Sequence, residues 1–390
     1  MEVENNIDTQ RFVVPSSKFG FLKNKKLWIV LAVLIIVLLV IGGFFLFKNG
    51  GLITKRELLS PFDKLNKSGK PSGGILKDVQ NPITGMLYTK EEAVSWVDTR
   101  PLGVMVNNHV DARPQSGLDK TDIVYEIVAE GGITRFLSFF LTNTPEKIGP
   151  VRSTREYYLV IVKELGDAML MHIGWSPQAL IAIESWPVRS LGRGGGTFWR
   201  DTSRNVATEH TAYSDGVDLR KKGEELGWTG KKEFDSWKFK NDKEGYTDVV
   251  VATELSIDFW SRGDYSTFWK YDSGTNTYLR FMGYNAQGEP ISHNDNESKK
   301  QLSAKNLIVQ FAAESSIKGD EKNRLDYQLV GSGKGLVFED GKVIQATWSK
   351  DARDTRTKFY DLNGQEIMFN RGNFWVSIVP DRNFEQVKYK

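Results

Sequence analysis

The chain has 390 residues, 40% of them hydrophobic and 26% charged, which is enough for two ordinary domains with their own cores. A net charge of +3 gives no electrostatic case for nucleic acid, which needs a concentrated basic face. With no cysteine, disulfides, thiolate catalysis, cysteine-ligated zinc and a lipid-modified cysteine are excluded, and 12% aromatics argue against disorder.

Residues 1–26 form a polar tail ending in Lys23, Lys25 and Lys26, and Leu27 to Phe47 then runs without a charge. As a helix that run spans about 31 Å, the thickness of a hydrocarbon core. It is longer than a cleavable signal region and is followed by no small-residue cleavage site, so it predicts an uncleaved signal anchor that partners the bilayer. Lysines crowd its N-terminal edge, which places the tail in the cytoplasm and the body outside. Residues 48–80 are polar and rich in Gly, Lys and Ser, a tether between membrane and body.

The first domain is expected over 81–240. Thr89-Lys90-Glu91-Glu92 has the form of a capping box opening a short helix. Strands are expected over 102–106, 123–129, 135–141 and 168–173, and helices over 177–186 and 217–226. Ser153-Thr154-Arg155-Glu156 is a second capping-box pattern, with Ser153 predicted to cap a helix running to Leu165 and Gly166 to stop it. Strands alternating with helices imply an α/β sandwich with a mixed sheet. From 241 to 390 short strands dominate, and Asp340-Gly341 and Asn363-Gly364 are hairpin dipeptides. A mainly antiparallel β domain is expected there, so the fold class is α+β: a transmembrane helix and linker, then the sandwich, then the β domain.

Three segments carry a family resemblance: TRPLGVMVNNHVDARPQSGLDKTDIVYE, EGGITRF and IGPVRSTR. Together with FWRDTSR and DGKVIQATWSKDARDTRTKFYDLNGQEI they resemble the YerB-like family of bacterial envelope lipoproteins, across roughly residues 81–380. The resemblance implies a two-domain body of unassigned function in the cell envelope. Two departures stand out: members commonly carry a lipidated cysteine where this chain has an apolar run, and Glu209-His210-Thr211 replaces a Pro-His-Asn segment.

Arginines recur at loop and strand boundaries, and guanidinium forks hold carboxylate or phosphate bidentately. The candidate anion ligands are Arg113, Gln115, Arg135, Arg152, Ser153, Arg155, Arg200 and Asp201, with Arg152 and Arg155 beside the expected helix start. The competing reading is that the arginines pair with Asp111, Asp122, Glu126, Glu130 or Asp201 to pin loops. Gly174-Trp175-Ser176-Pro177 is not a nucleophile elbow, because Pro177 has no N–H to offer an oxyanion. The glycine run after Leu191 lacks the Gly-Lys-Ser/Thr of a phosphate loop. The four histidines are scattered without metal-ligand spacing, so no metal, cofactor or catalytic set is assigned. The expected function is a non-catalytic binding or regulatory module for envelope proteins or anionic envelope polymers. The alternative is an enzyme acting on a phosphorylated envelope precursor.

Overall fold

The computed structural model describes residues 76–390 apart from 194–195, 247–248 and 261–262. The tail, the apolar run and the tether up to residue 75 lie outside the described residues, and no helix among those described is long and apolar enough to cross a membrane. The end of the expected tether is already structured, since Val79–Gln80 pairs antiparallel with Leu87–Tyr88.

In chain order the main elements begin with α1 (Lys90–Ala93), β1 (Leu102–Asn107), β2 (Ile123–Val128) and β3 (Thr134–Phe140). Next come α2 (Glu156–Glu164), β4 (Met169–Met171), α3 (Pro177–Ser185), β5 (Arg189–Ser190) and α4 (Gly216–Glu225). The C-terminal half supplies β6 (Val250–Val251), β7 (Glu254–Ile257), β8 (Thr267–Asp272), β9 (Thr277–Tyr284) and β10 (Asn306–Ala312). It continues with β11 (Gly331–Glu339), β12 (Lys342–Lys350), β13 (Lys358–Asp361), β14 (Phe374–Pro380) and β15 (Val387–Tyr389).

Local signals act as their chemistry dictates. Thr89 accepts from Glu92 N–H while the Glu92 carboxylate accepts from Thr89 N–H, a complete capping box. Ser176 caps α3 through Ala179 N–H, with Pro177 at the first helical position. Asp340 and Gly341, at φ 56° and 72°, make the two-residue turn between β11 and β12. Every residue of β1, β2, β3, β10 and β14 is buried, as continuous apolar strands require.

An eleven-stranded mixed sheet runs β6-β12-β11-β10-β14-β2-β3-β1-β4-β5, with β13 also on β12. Its order mixes the two halves of the chain. β14 lies parallel to both β10 and β2, with Trp375 opposite Leu307 on one side and Val124 on the other. The halves expected on either side of residue 240 therefore share one sheet, one buried cluster and one compact unit over residues 74–390. A six-stranded antiparallel sheet containing β9, β8, β7 and β15 covers one face of the mixed sheet. Trp269 of β8 meets Trp375 of β14 edge-on at 5.4 Å, and Arg280 of β9 reaches Glu126 of β2 at 2.8 Å. The opposite face carries α2, whose Tyr157 and Tyr158 hydroxyls donate to the Val128 and Ile127 carbonyls.

The ladder directions set up the site. β2 and β1 both run antiparallel to β3, β4 and β5 follow β1 in parallel, and β14 and β10 follow β2. β12, antiparallel to β11 as β11 is to β10, shares that direction, so seven strands end on one side of the sheet, where loops are free to carry ligand groups.

Candidate anion-binding site

Four of the arginines marked in the sequence are engaged internally. Arg135 donates to Glu130 Oε2 (3.0 Å) and to the Ser153 carbonyl. Arg155 donates to Glu130 Oε1 (2.5 Å) and to the Thr154 carbonyl. Glu130 is thus clamped between two cations, and burial, reinforced by the Arg155 charge, pushes the Arg135 guanidinium down to about 10. Arg113 donates to the Asn108 backbone and side-chain oxygens and lies over the Tyr265 ring. Arg200 donates to the Thr208 carbonyl.

The polar candidates are structural too. Gln115 is fully buried: its amide donates to the Asn107 carbonyl and Asn108 Oδ1, and its oxygen accepts from His293 Nε2 (2.7 Å). Since Arg280 Nε donates to His293 Nδ1, the remaining ring nitrogen carries the proton that Gln115 accepts. Asp201 accepts from Ser203 and pairs with Lys147 at 3.3 Å. Ser153 does not cap α2. Its hydroxyl donates to the Ile173 carbonyl (2.9 Å), the helix starts at Glu156, and Arg155 stands at the cap position without a side-chain cap bond. The expected anion site at a capped helix start is therefore not formed.

Arg152 differs from all of these. It sits on a strand-like segment beside the end of β1, its N–H donating to the Met105 carbonyl and its carbonyl accepting from Ile173 N–H. Its side chain is half-buried, yet no described residue offers its guanidinium a hydrogen bond or an ion pair. Burial lowers its pKa, and the Glu209 carboxylate opposes that shift.

Two histidines complete the corner. His109 follows β1, and His210 comes from a segment about a hundred residues later; their rings stack at 4.4 Å between centroids and 12° between planes. Arg204 staples the two segments together by donating to the carbonyls of Asp111, Arg113 and His210 and to the Tyr213 hydroxyl. Burial and then the neighbouring His109 lower the His210 pKa, with Arg152 acting in the same direction, so His210 is neutral at pH 7.

The hydrogen bonds also choose its tautomer. Asn107 Oδ1 accepts from His109 N–H (3.0 Å), so the Asn107 amide nitrogen is the group facing His210 Nδ1 at 2.9 Å. His210 Nδ1 is therefore the acceptor and Nε2 carries the proton. His109 Nδ1 likewise accepts from Asp111 N–H (3.2 Å), leaving Nε2–H as its donor. His109, Asp111 and His210 lie close enough to hold a metal ion, their ligand atoms within 4.8 Å of one another. The wiring opposes it: both imidazoles spend their Nδ1 lone pairs on protein donors, and the two rings are stacked rather than converging. Two N–H donors beside an unpaired guanidinium suit an anion.

His172 and Asp122 do not join this corner. His172 donates from Nδ1 to the Gly174 carbonyl and accepts at Nε2 from the Ser190 hydroxyl, and burial pushes it down to about 4. Asp122 is buried under donors from Leu141, Thr142 and Asn81. His109 and His210 escaped the sequence reading because their proximity depends on the Arg204 staple, which has no local pattern.

Comparison with known proteins places these observations. Residues 83–229 match the N-terminal domain, and residues 255–376 the C-terminal domain, of the family described as Protein of unknown function (DUF3048). The chain is 34% identical over 319 residues to YerB of Bacillus subtilis (strain 168), a protein whose name assigns it to the lipoproteins, covering 78% of this chain and 87% of that one. The crystal structure of YerB from Bacillus subtilis matches with a TM-score of 0.68 at 31% identity, covering 80% of this chain and all of that one.

Proposed function

This chain belongs to the DUF3048 family, and on that premise we propose that it is a membrane-anchored, non-catalytic binding module of the cell envelope. Its ligand is an envelope protein or polymer that presents an anionic group to Arg152, His109 and His210. The relative's lipoprotein name supports the envelope, and the apolar run at 27–47 supports an anchor that replaces a lipid, with the body outside the cytoplasm. One observation carries the binding reading: Arg152 is half-buried and unpaired while Arg113, Arg135, Arg155 and Arg200 are all engaged.

Thermal melts with and without pyrophosphate test it. Wild type gains stability, by about 2.7 kcal/mol at a hundredfold excess over Kd. Arg152→Gln melts like wild type but loses that gain. Arg155→Gln keeps the gain yet falls by about 1–3 kcal/mol, because Glu130 retains only Arg135. A wild type indifferent to anions, or an Arg152→Gln protein that is itself badly destabilised, would sink the reading.

A second reading, an enzyme acting on a phosphorylated envelope precursor, is favoured by Glu209, whose charge Arg152 feels next to His210. Hydrolysis of a lipid-linked sugar pyrophosphate at its P–O–P bond, giving a lipid phosphate and a sugar phosphate, by wild type and not by Glu209→Gln, would favour it over simple binding.

A further inference from the structure

The segment that carries Arg152 has exposed aromatic rings on both sides. On one side Thr154 pairs with Trp175, which is 38% exposed. On the other, Val151 N–H donates to the Ala212 carbonyl, and Ala212 pairs with Arg200. That second ladder brings in Trp199 and Phe198, 41% and 37% exposed, with Trp199 opposite Tyr213 and the Arg200 guanidinium 5.7 Å from the Phe198 ring centre. Large rings left in water on the segments that flank this unpaired cation mark a contact surface.

We infer that the ligand of this site is an anionic saccharide, a deepening that rests on the binding reading above. The faces of sugar rings carry C–H bonds that pack on indole, while their hydroxyls remain in water. A phosphate or carboxylate on the same sugar then meets Arg152 and the two imidazole N–H groups. A free anion or a phosphorylated peptide uses the cation and leaves the rings idle. Charge complementarity selects the acidic glycan: Arg152 is unpaired, and Arg200 spends its guanidinium on a neutral carbonyl rather than a carboxylate.

Titration calorimetry on the full-length chain tests this with four probes: glucose 1-phosphate, trigalacturonic acid, inorganic phosphate and neutral maltotriose. At least one anionic saccharide binds roughly tenfold tighter than phosphate, and maltotriose binds weakest; which acid wins identifies the charged group. Trp175→Ala and Trp199→Ala each cost the saccharide roughly three- to tenfold and leave phosphate unchanged, whereas the Phe variants retain most of the affinity. If phosphate binds as tightly as both acidic saccharides and still depends on Arg152, the saccharide inference falls while the binding module stands. If no anion binds at all, the binding module itself falls. The wild-type comparison needs no variant, so a poorly folding Trp→Ala protein cannot rescue the idea.

Discussion

Replacing Glu164 with glutamine tests how the two halves of the body are held together. Glu164 lies at the end of α2 with its side chain 1% exposed, and its carboxylate faces groups from the C-terminal half. It accepts from Lys350 Nζ (2.7 Å), Arg356 Nη1 (2.6 Å) and the Thr357 hydroxyl (2.8 Å), and from the Tyr125 hydroxyl (3.0 Å). Burial alone would raise its pKa, but the Lys350 and Arg356 charges outweigh it and hold the carboxyl down to about 2 against an ordinary 4.5. A folded pKa below the unfolded one means the unfolded chain takes up the proton first as pH falls. The stabilisation is therefore complete above the ordinary value and is lost as pH drops through 4.5 towards 2, a difference of about 3 kcal/mol. Glutamine removes the charge at every pH and strands Lys350 and Arg356, which are 1% and 0% exposed. Arg356 already has two nitrogens without a partner, so nothing nearby takes over. Losing the anion of a buried cluster costs about 3–5 kcal/mol. Urea unfolding of the full-length chain, followed by tryptophan fluorescence, should show that deficit at pH 7 and a narrowing gap below pH 4.5. A variant within 1 kcal/mol of wild type at pH 7, or a gap that ignores pH, would refute the reasoning.

Residues 246–390 expressed alone should stay unfolded by circular dichroism, because β14 loses β2 and Arg280 loses Glu126; a cooperatively melting fragment would contradict the shared sheet. Asn107→Asp presents a carboxylate to His210, moves the ring proton to Nδ1 and turns the Nε2 lone pair outward, so zinc affinity should rise roughly tenfold or more; an unchanged zinc isotherm would overturn the tautomer assignment. A secreted-phosphatase reporter fused after Lys390 should be active, and a silent one paired with an active cytoplasmic reporter would reverse the topology.

What the sequence made legible was local. The Thr89 box and the Asp340-Gly341 turn each depend on groups within a few residues, and both form as their patterns require. The Ser153 pattern has the same local quality, yet a distant carbonyl, Ile173, takes the hydroxyl and shifts the helix start to Glu156. The short-strand pattern over 241–390 contains nothing about partners, and the parallel insertion of β14 between β2 and β10 is what merges the halves. At the site, Glu130 stands five and twenty-five residues from the arginines it clamps, so its pairing was one option among several carboxylates. The His109–His210 stack needs an approach across about a hundred residues, held by one arginine that grips five groups.

The contrast among these arginines is what supports the binding reading proposed above. A half-buried guanidinium gives up part of its hydration, and a role confined to stability would recover that loss through a carboxylate or carbonyl. Arg135 and Arg155 do so through Glu130, and Arg204 does so through carbonyls that fix the loops. Arg152 recovers nothing from a hydrogen bond, and Glu209 influences it only from beyond ion-pair distance. Near it stand two stacked imidazoles whose Nδ1 atoms accept from Asn107 and from the Asp111 backbone, which leaves their protons on Nε2. Under the binding reading proposed above, an anion takes the place of water at these donors, on an end of the sheet where seven strands finish. On that proposal the partial desolvation of Arg152 is already present in the free protein, and a ligand that pairs with it gains affinity without a large interface.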